Sequence, residues 1–237
     1  MLKRCGIIGG LGPSATVDLY RSIVMHTSAS NDQDHIRIVI DNHPQIPERT
    51  SAIFSNGESP VPSFLESIDI LTKAKVDFII CPCNTAHYFL RQLKSGFSVP
   101  FIDMIEVTME FLNKNSIRSA GLLSSAGTLK TGIYQETAKK YGIEIIAPSE
   151  EGIEKVTEAI YGREGIKAGA RFEKSQKNKT LFLDVIDEFI FRKTASVIMG
   201  CTEIPLCLDQ NDTSITLINP TDLLAKAAIE FAGGKVR

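Results

Sequence analysis

Twice in this chain a short apolar run stops at a residue that breaks a strand, and a cysteine follows at once. The first case is Asp77-Phe78-Ile79-Ile80-Cys81-Pro82-Cys83-Asn84-Thr85-Ala86-His87. The second is Ala195-Ser196-Val197-Ile198-Met199-Gly200-Cys201-Thr202-Glu203-Ile204-Pro205. A run of this length reads as a buried strand. Pro82 has no N–H to give to a sheet ladder, so the first strand ends there. Asn84 and Thr85 read as the start of a helix, because both side chains can accept from free backbone N–H groups. Cys83 is thereby predicted on the turn between a strand's carboxyl end and a helix's amino end, where open α/β sheets bind ligands. Free N–H donors and the partial positive charge of a helix start also favour a thiolate.

The two cysteines are 118 positions apart, about half of the 237 residues. A second pair of segments, Gly6-Ile7-Ile8-Gly9-Gly10-Leu11-Gly12 and Gly121-Leu122-Leu123-Ser124-Ser125-Ala126-Gly127, is offset by 115. Two independent pairs at nearly one offset predict a duplicated unit. Each half has ordinary domain size and can hold its own core. The expected domains are 1–115, which carries Cys83, and 116–237, which carries Cys201. A closing helix over 221–232 is placed to pack back on the first.

The expected elements alternate. In the first half these are a strand over 4–9, a helix over 14–27 and a strand over 36–42. A loop with Pro44, Pro47 and Pro60 follows, too proline-rich for regular structure. Phe64, Leu65, Ile68 and Leu71 give a helical period within 63–75. The Cys83 strand and helix come next, then a fourth strand over 99–104 and a helix over 105–114. The second half repeats the order: strand 120–123, helix 130–141, strand 144–147, and helices within 149–163 and 172–192 separated by Gly162, Gly165 and Gly169. The Cys201 strand, a strand over 215–218 and the closing helix complete it. Such alternation means parallel sheets covered on both faces. No long linker separates the halves, so a cleft is expected between them.

A net charge of −2 gives no reason to expect nucleic acid or an acidic membrane as partner. No apolar run is long enough to span a bilayer. The charged start Met1-Leu2-Lys3-Arg4 is followed by a run too short and glycine-broken for a signal peptide, so the expected compartment is the cytoplasm. Five cysteines without an export signal argue against a disulfide framework. Cys5, Cys81 and Cys207 read as small core residues. Cys81-x-Cys83 with His87 has the wrong spacing for a zinc knuckle, and His26, His35 and His43 are scattered, so no metal is expected. His87 reads as an early helix residue, exposed or bonded locally. Gly10-Leu11-Gly12-Pro13-Ser14-Ala15 fits the dinucleotide pattern, but no acidic residue ends the second strand at the right distance. A turn lining the cleft at Gly10 is the preferred reading.

Two thiols facing each other across a cleft have a specific use. Inverting a carbon that bears a weakly acidic C–H requires proton removal on one face and delivery on the other. A cysteine does both if its pKa lies near the working pH. Asn84, Thr85 and Thr202 can donate to a carboxylate whose charge grows as the carbanion forms.

Pro82-Cys83-Asn84-Thr85-Ala86-His87 together with Gly200-Cys201-Thr202-Glu203-Ile204-Pro205 resembles the aspartate/glutamate racemase family. Gly9 to Thr16 resembles its amino-terminal signature. The resemblance implies a cofactor-independent racemase with Cys83 and Cys201 as its proton-shuttling pair. Asn84 and Thr85 match residues that hold the α-carboxylate. It also implies two similar flavodoxin-like α/β domains with parallel four-stranded sheets, related by a pseudo-twofold axis, with the active site in the cleft and commonly a homodimer. Pro47-Glu48-Arg49-Thr50 and Gly165-Ile166-Lys167-Ala168-Gly169 look like family segments whose Arg and Lys read an acidic amino acid. An Arg fork suits a carboxylate bidentately, and Lys adds a mobile charge. Ser124, Ser125 and Thr128, counterparts of the first glycine turn, are candidates to line the cleft, and Glu203 to orient the second thiol. The expected substrate is aspartate or glutamate. A small-molecule binding protein on the same scaffold is the second reading, since fold does not fix function. An NAD-linked enzyme is the third.

Overall fold

The computed structural model describes residues 2–55, 57–93, 96–168 and 175–237. The chain divides into two compact units, Met1–Val107 with Thr221–Arg237, and Thr108–Pro220.

The first unit is built on β1 (Cys5–Gly9), whose five residues are all buried. It pairs in parallel with β2 (Ile38–Asn42) on one side and β3 (Phe78–Ile80) on the other. A central strand of a covered parallel sheet is apolar on both faces, and its side chains divide by parity. Cys5, Ile7, Phe78 and Ile80 pack on one face with Leu19 and Ile23 of α1 (Pro13–His26) and with Leu224, Ala228 and Ile229 of α10 (Pro220–Ala232). Ile8, Ile79 and Cys81 pack on the other with Phe64, Ile68 and Leu71 of α3 (Val61–Lys73). The helical period of α3 is as expected, except that Leu65 is exposed.

The second unit repeats the plan. Its sheet runs β5 (Glu144–Ile146), β4 (Ser119–Leu123), β6 (Ser196–Met199), β7 (Thr216–Ile218), all parallel. One face is covered by α8 (Glu150–Tyr161) and α9 (Gln176–Phe191), through Val156, Ile160, Phe182, Val185 and Phe189. Ser149 and Ser175 cap these helices on the N–H groups of Gly152 and Asn178. The expected helix over 130–141 is two pieces, α6 (Ala126–Thr131) and α7 (Ile133–Lys139), broken at Gly132, which has φ +64°. Gly169 and Phe172, at the loop and helix start expected there, lie outside the described residues. Among the described residues no helix is long and apolar enough to cross a membrane.

Three local expectations are corrected. In the proline-rich loop, Glu48 accepts from the Ser51 N–H at 2.6 Å and starts the short α2 (Arg49–Ile53). The fourth strand of the first sheet is a single parallel bridge, Ile79 to Phe101. Pro100 has no N–H to extend it, and α5 (Met104–Lys114) begins three residues later. Asn84 and Thr85 do not cap a helix. Residues 84–86 form a turn with bonds from His87 N–H to Asn84 C=O and from Tyr88 N–H to Thr85 C=O, and α4 (His87–Gln92) starts after it. Behind Cys201 there is only the three-residue 3-10 turn Ile204–Leu206. Neither thiol therefore gains from the dipole of a long helix.

The turn after β1 depends on Gly10. Its φ is +92°, and an added Cβ would lie 2.4 Å from the His43 carbonyl carbon. Gly10→Ala is expected to lower stability by about 3 kcal/mol, the sum of backbone strain and overlap with fixed main chain. Urea unfolding measures it, and an unchanged midpoint would contradict the steric argument.

Candidate active site

The first thiol lies just past the end of β3. Cys83 N–H donates to the Cys81 carbonyl at 3.0 Å, folding the chain tightly around Pro82. Cys81 is fully buried among Ile8, Phe64 and Leu90, and Cys83 is 7% exposed. Burial pushes the Cys81 thiol up, a charge on Cys83 adds to this, and Arg49 opposes it. Cys81 therefore stays protonated. Arg49, buried at the start of α2, donates through Nη1 to the carbonyls of Ile46 and Pro47 (3.3 and 3.2 Å) and through Nη2 to that of Leu11 (2.9 Å). One guanidinium thus ties the proline-rich loop to the glycine turn after β1. Asn84 and Thr85 are buried beside Cys83 in sequence.

His87 is the first residue of α4 and is bonded locally, as one of the two expectations had it, and it is completely buried. Its Nδ1 lies 2.8 Å from the Cys83 carbonyl, and its Nε2 accepts from the Met104 N–H at 3.0 Å. Burial pushes its pKa down, so the ring is neutral. Next to it, Asp103 accepts from Arg91 Nε (2.6 Å) and Nη2 (3.1 Å), and from the N–H groups of Ile105 and Glu106. Burial alone would raise the Asp103 carboxyl; the His87 ring, the Arg91 fork and the Glu106 N–H together pull it down to about 2. With the ring neutral, the Arg91 fork and the backbone donors are the parts of that effect that persist.

The second thiol follows β6 in the same way. Gly200 N–H donates to Leu123 C=O at 2.7 Å, and a Cβ at Gly200 would lie 2.6 Å from Leu122 Cδ1, so only glycine lets this turn close on β4. Cys201, 8% exposed, donates its S–H to Glu203 Oε2 at 3.1 Å. The Thr202 hydroxyl donates to the same oxygen at 3.4 Å, and Lys167 Nζ lies 2.5 Å from Glu203 Oε1. Burial raises the Cys201 pKa most, the Glu203 charge raises it further, and Lys167 pulls it down. Cys201 is thus held as a thiol whose proton points at a carboxylate.

The residues singled out from the sequence gather in two sets. Gly10, Arg49, Cys83, Asn84 and Thr85 belong to the first unit, and Lys167, Cys201 and Thr202 to the second. Thr128 is buried in the first turn of α6, its hydroxyl 3.2 Å from that of Ser125, which caps that helix. Lys167 sits on Glu203. Among the described residues, Arg49 and Glu203 are the only Asp, Glu, Lys or Arg side chains that are buried. A buried charge is expensive and is kept where a partner or a reaction uses it. A cavity of about 950 Å³ near Arg4, His35, Arg37, Lys75 and Lys235 opens at the amino ends of β1 to β3 and includes neither Cys83 nor Arg49. Open α/β sheets bind ligands at the opposite, carboxyl ends of their strands.

The charges around Cys201 make opposite predictions for two variants. Glu203→Gln removes a negative neighbour and eases thiolate formation. Lys167→Met leaves Glu203 uncompensated and makes it harder. Iodoacetamide labelling at neutral pH, read at Cys201 by mass spectrometry, is expected to speed up in the first variant and slow in the second. Rates moving in the same direction would contradict this electrostatic account.

The family model described as Asp/Glu/Hydantoin racemase matches residues 8–228. The broad specificity amino-acid racemase RacX of Bacillus subtilis is 25% identical over 94% of this chain and 96% of its own length. The aspartate racemase of Picrophilus torridus has a solved structure that superposes with a TM-score of 0.87, at 31% identity, over 99% of this chain and 96% of that one. Glutamate racemase from Francisella tularensis, solved in complex with D-glutamate, shares the fold at a TM-score of 0.65 and 17% identity, over 96% of this chain and 80% of that one. The chain is therefore a member of the Asp/Glu/Hydantoin racemase family, and with it an enzyme of the racemase class.

Proposed function

We propose that this enzyme interconverts the enantiomers of an acidic amino acid, aspartate first and glutamate second, by proton transfer between Cys83 and Cys201. The observation that carries the reading is the equivalence of the two thiols. Each lies at the first turn past the third strand of its unit, beside the central strand, in two sheets of the same order. A reaction that needs one acid and one base at a single carbon calls for such a pair.

In this scheme one sulfur starts as thiolate and the other as thiol. The thiolate takes the α-proton, and the electron pair of the broken C–H bond passes into the α-carboxylate. The opposite thiol gives its proton to the other face of the carbon. The product leaves with the two sulfurs exchanged in protonation state, and atoms and charge balance without a cofactor. The sulfur held as thiol in this structure is Cys201, so Cys201 is assigned as the first donor, with Glu203 aligning its proton. We assign the α-carboxylate to Asn84, Thr85 and Thr202, and the second carboxylate to Arg49, whose guanidinium is preorganised by three carbonyls. Lys167 acts through Glu203 by setting the charge beside Cys201. Gly10 and Thr128 shape the turns after β1 and β4.

Proton NMR of L-aspartate with the protein in heavy water is expected to show loss of the α-proton signal and appearance of the D-enantiomer. Cys83→Ala and Cys201→Ala are each expected to slow racemisation by roughly 10³-fold. A single variant that racemises at near wild-type rate rules out the two-thiol scheme. Arg49→Ala should weaken aspartate binding by about 100-fold, from the loss of charge-assisted hydrogen bonds. An unchanged preference for aspartate over alanine would refute that assignment.

A further inference from the structure

We propose that His87 is a positioning residue, which orients the Cys83 backbone and so aims its thiol by bolting the Cys83 turn to the amino end of α5. This rests on the assignment of Cys83 to the reaction.

The tautomer follows from the partners. A backbone N–H can only donate, so Nε2 facing Met104 N–H must be an acceptor. The ring is neutral, so its one proton is on Nδ1 and is donated to the Cys83 carbonyl. Both ring nitrogens are therefore used, one on the thiol-bearing residue and one on a residue 21 positions later in the chain.

The far anchor is firm. The first N–H groups of α5 are all taken, Met104 by His87, and Ile105 and Glu106 by Asp103. Arg91, one turn after His87 on α4, grips Asp103 from the side. Phe101 packs against the imidazole with ring centroids 5.3 Å apart. The near end lies outside regular structure. Cys83 belongs to neither β3 nor α4, and the regular bonds of helix begin only with Leu90 N–H to Ala86 C=O. The His87 bond holds the carbonyl of the peptide between Cys83 and Asn84. A misplacement of about 1 Å at a reacting atom can cost 100-fold in rate.

Two substitutions separate the ends of the clamp. In His87→Gln the amide oxygen stands where Nε2 was and still accepts from Met104, while the donor to Cys83 is lost. In His87→Asn the amide nitrogen stands where Nδ1 was and still donates to Cys83, while the Met104 acceptor is lost. His87→Gln is expected to stay folded, with kcat for racemisation reduced about tenfold and KM little changed. In the free protein its Cys83 iodoacetamide labelling rate should change at least threefold, with Cys201 labelling unaltered. His87→Asn is expected to melt at lower temperature yet keep Cys83 labelling within twofold of wild type. Unchanged Cys83 labelling in His87→Gln, equal changes at both cysteines in both variants, or failure of both to fold would each reduce His87 to a packing residue and overturn the proposal. Labelling needs no turnover. A wild-type protein that does not racemise would refute the reaction while leaving this comparison intact.

Discussion

A thiol taken out of water keeps its proton unless a charge beside it changes the balance. Much of what surrounds the two strand-end cysteines can be understood as management of that balance. Cys201 sits against Glu203, a carboxylate that by itself would make the thiolate still harder to form. Lys167 in turn sits on Glu203 and cancels much of that effect. The outcome is a sulfur whose proton is aimed along a defined line, with its tendency to leave set by an ion pair two residues away. A buried pair of this kind adds little to stability, because desolvation consumes most of the attraction. Its value lies in setting the state of a neighbour.

The duplicated plan makes the differences between the halves informative. Two residues after Cys201 comes Glu203; two residues after Cys83 comes Thr85. The first thiol therefore has no carboxylate at the matching position. Its surroundings contain instead a second thiol, Cys81, which stays protonated, and the Arg49 cation, whose field reaches Cys81. The Cys201 half places a carboxylate beside its cysteine, whereas the Cys83 half has a second thiol two residues before its own and a cation acting on that second thiol.

The architecture was legible because periodicity and breakers are strong local signals. Ile7, Ile8, Phe78 and Ile80 could only be buried, and Pro82 and Gly200 could only end their strands. The cysteine pair stood out for the same reason. What escaped depended on contacts with distant residues. Asn84 and Thr85 have the chemistry of helix caps, but the chain turns through Asn84–Ala86 before the helix begins. Val99 and Phe101 have strand propensity, but Pro100 and the Asp103 cap leave room for one bridge. His87 read as ordinary because its partner at Met104 lies 17 residues on, beyond any local pattern. The resemblance implies that Lys167 reads an acidic substrate, and nothing near it in sequence points to its ion pair with Glu203, 36 residues away. The spacing Cys-x-Glu was the one local hint available.

Polar burial gives an independent reason to place the chemistry at the carboxyl ends of the strands. Arg49 follows β2, Asn84, Thr85 and His87 follow β3, Ser124, Ser125 and Thr128 follow β4, and Thr202 and Glu203 follow β6. All are buried. Each needs hydrogen bonds that an apolar side chain of the same size would not, so a sequence selected for stability alone would tend to replace them. At the amino ends of β1 to β3, by contrast, the groups lining the cavity, Arg37, Lys75 and Lys235 among them, are mostly exposed. Solvated charges at one end and desolvated ones at the other separate the two ends by physics. Only the second arrangement gives charges and hydrogen bonds enough strength to alter a proton's affinity for carbon or sulfur.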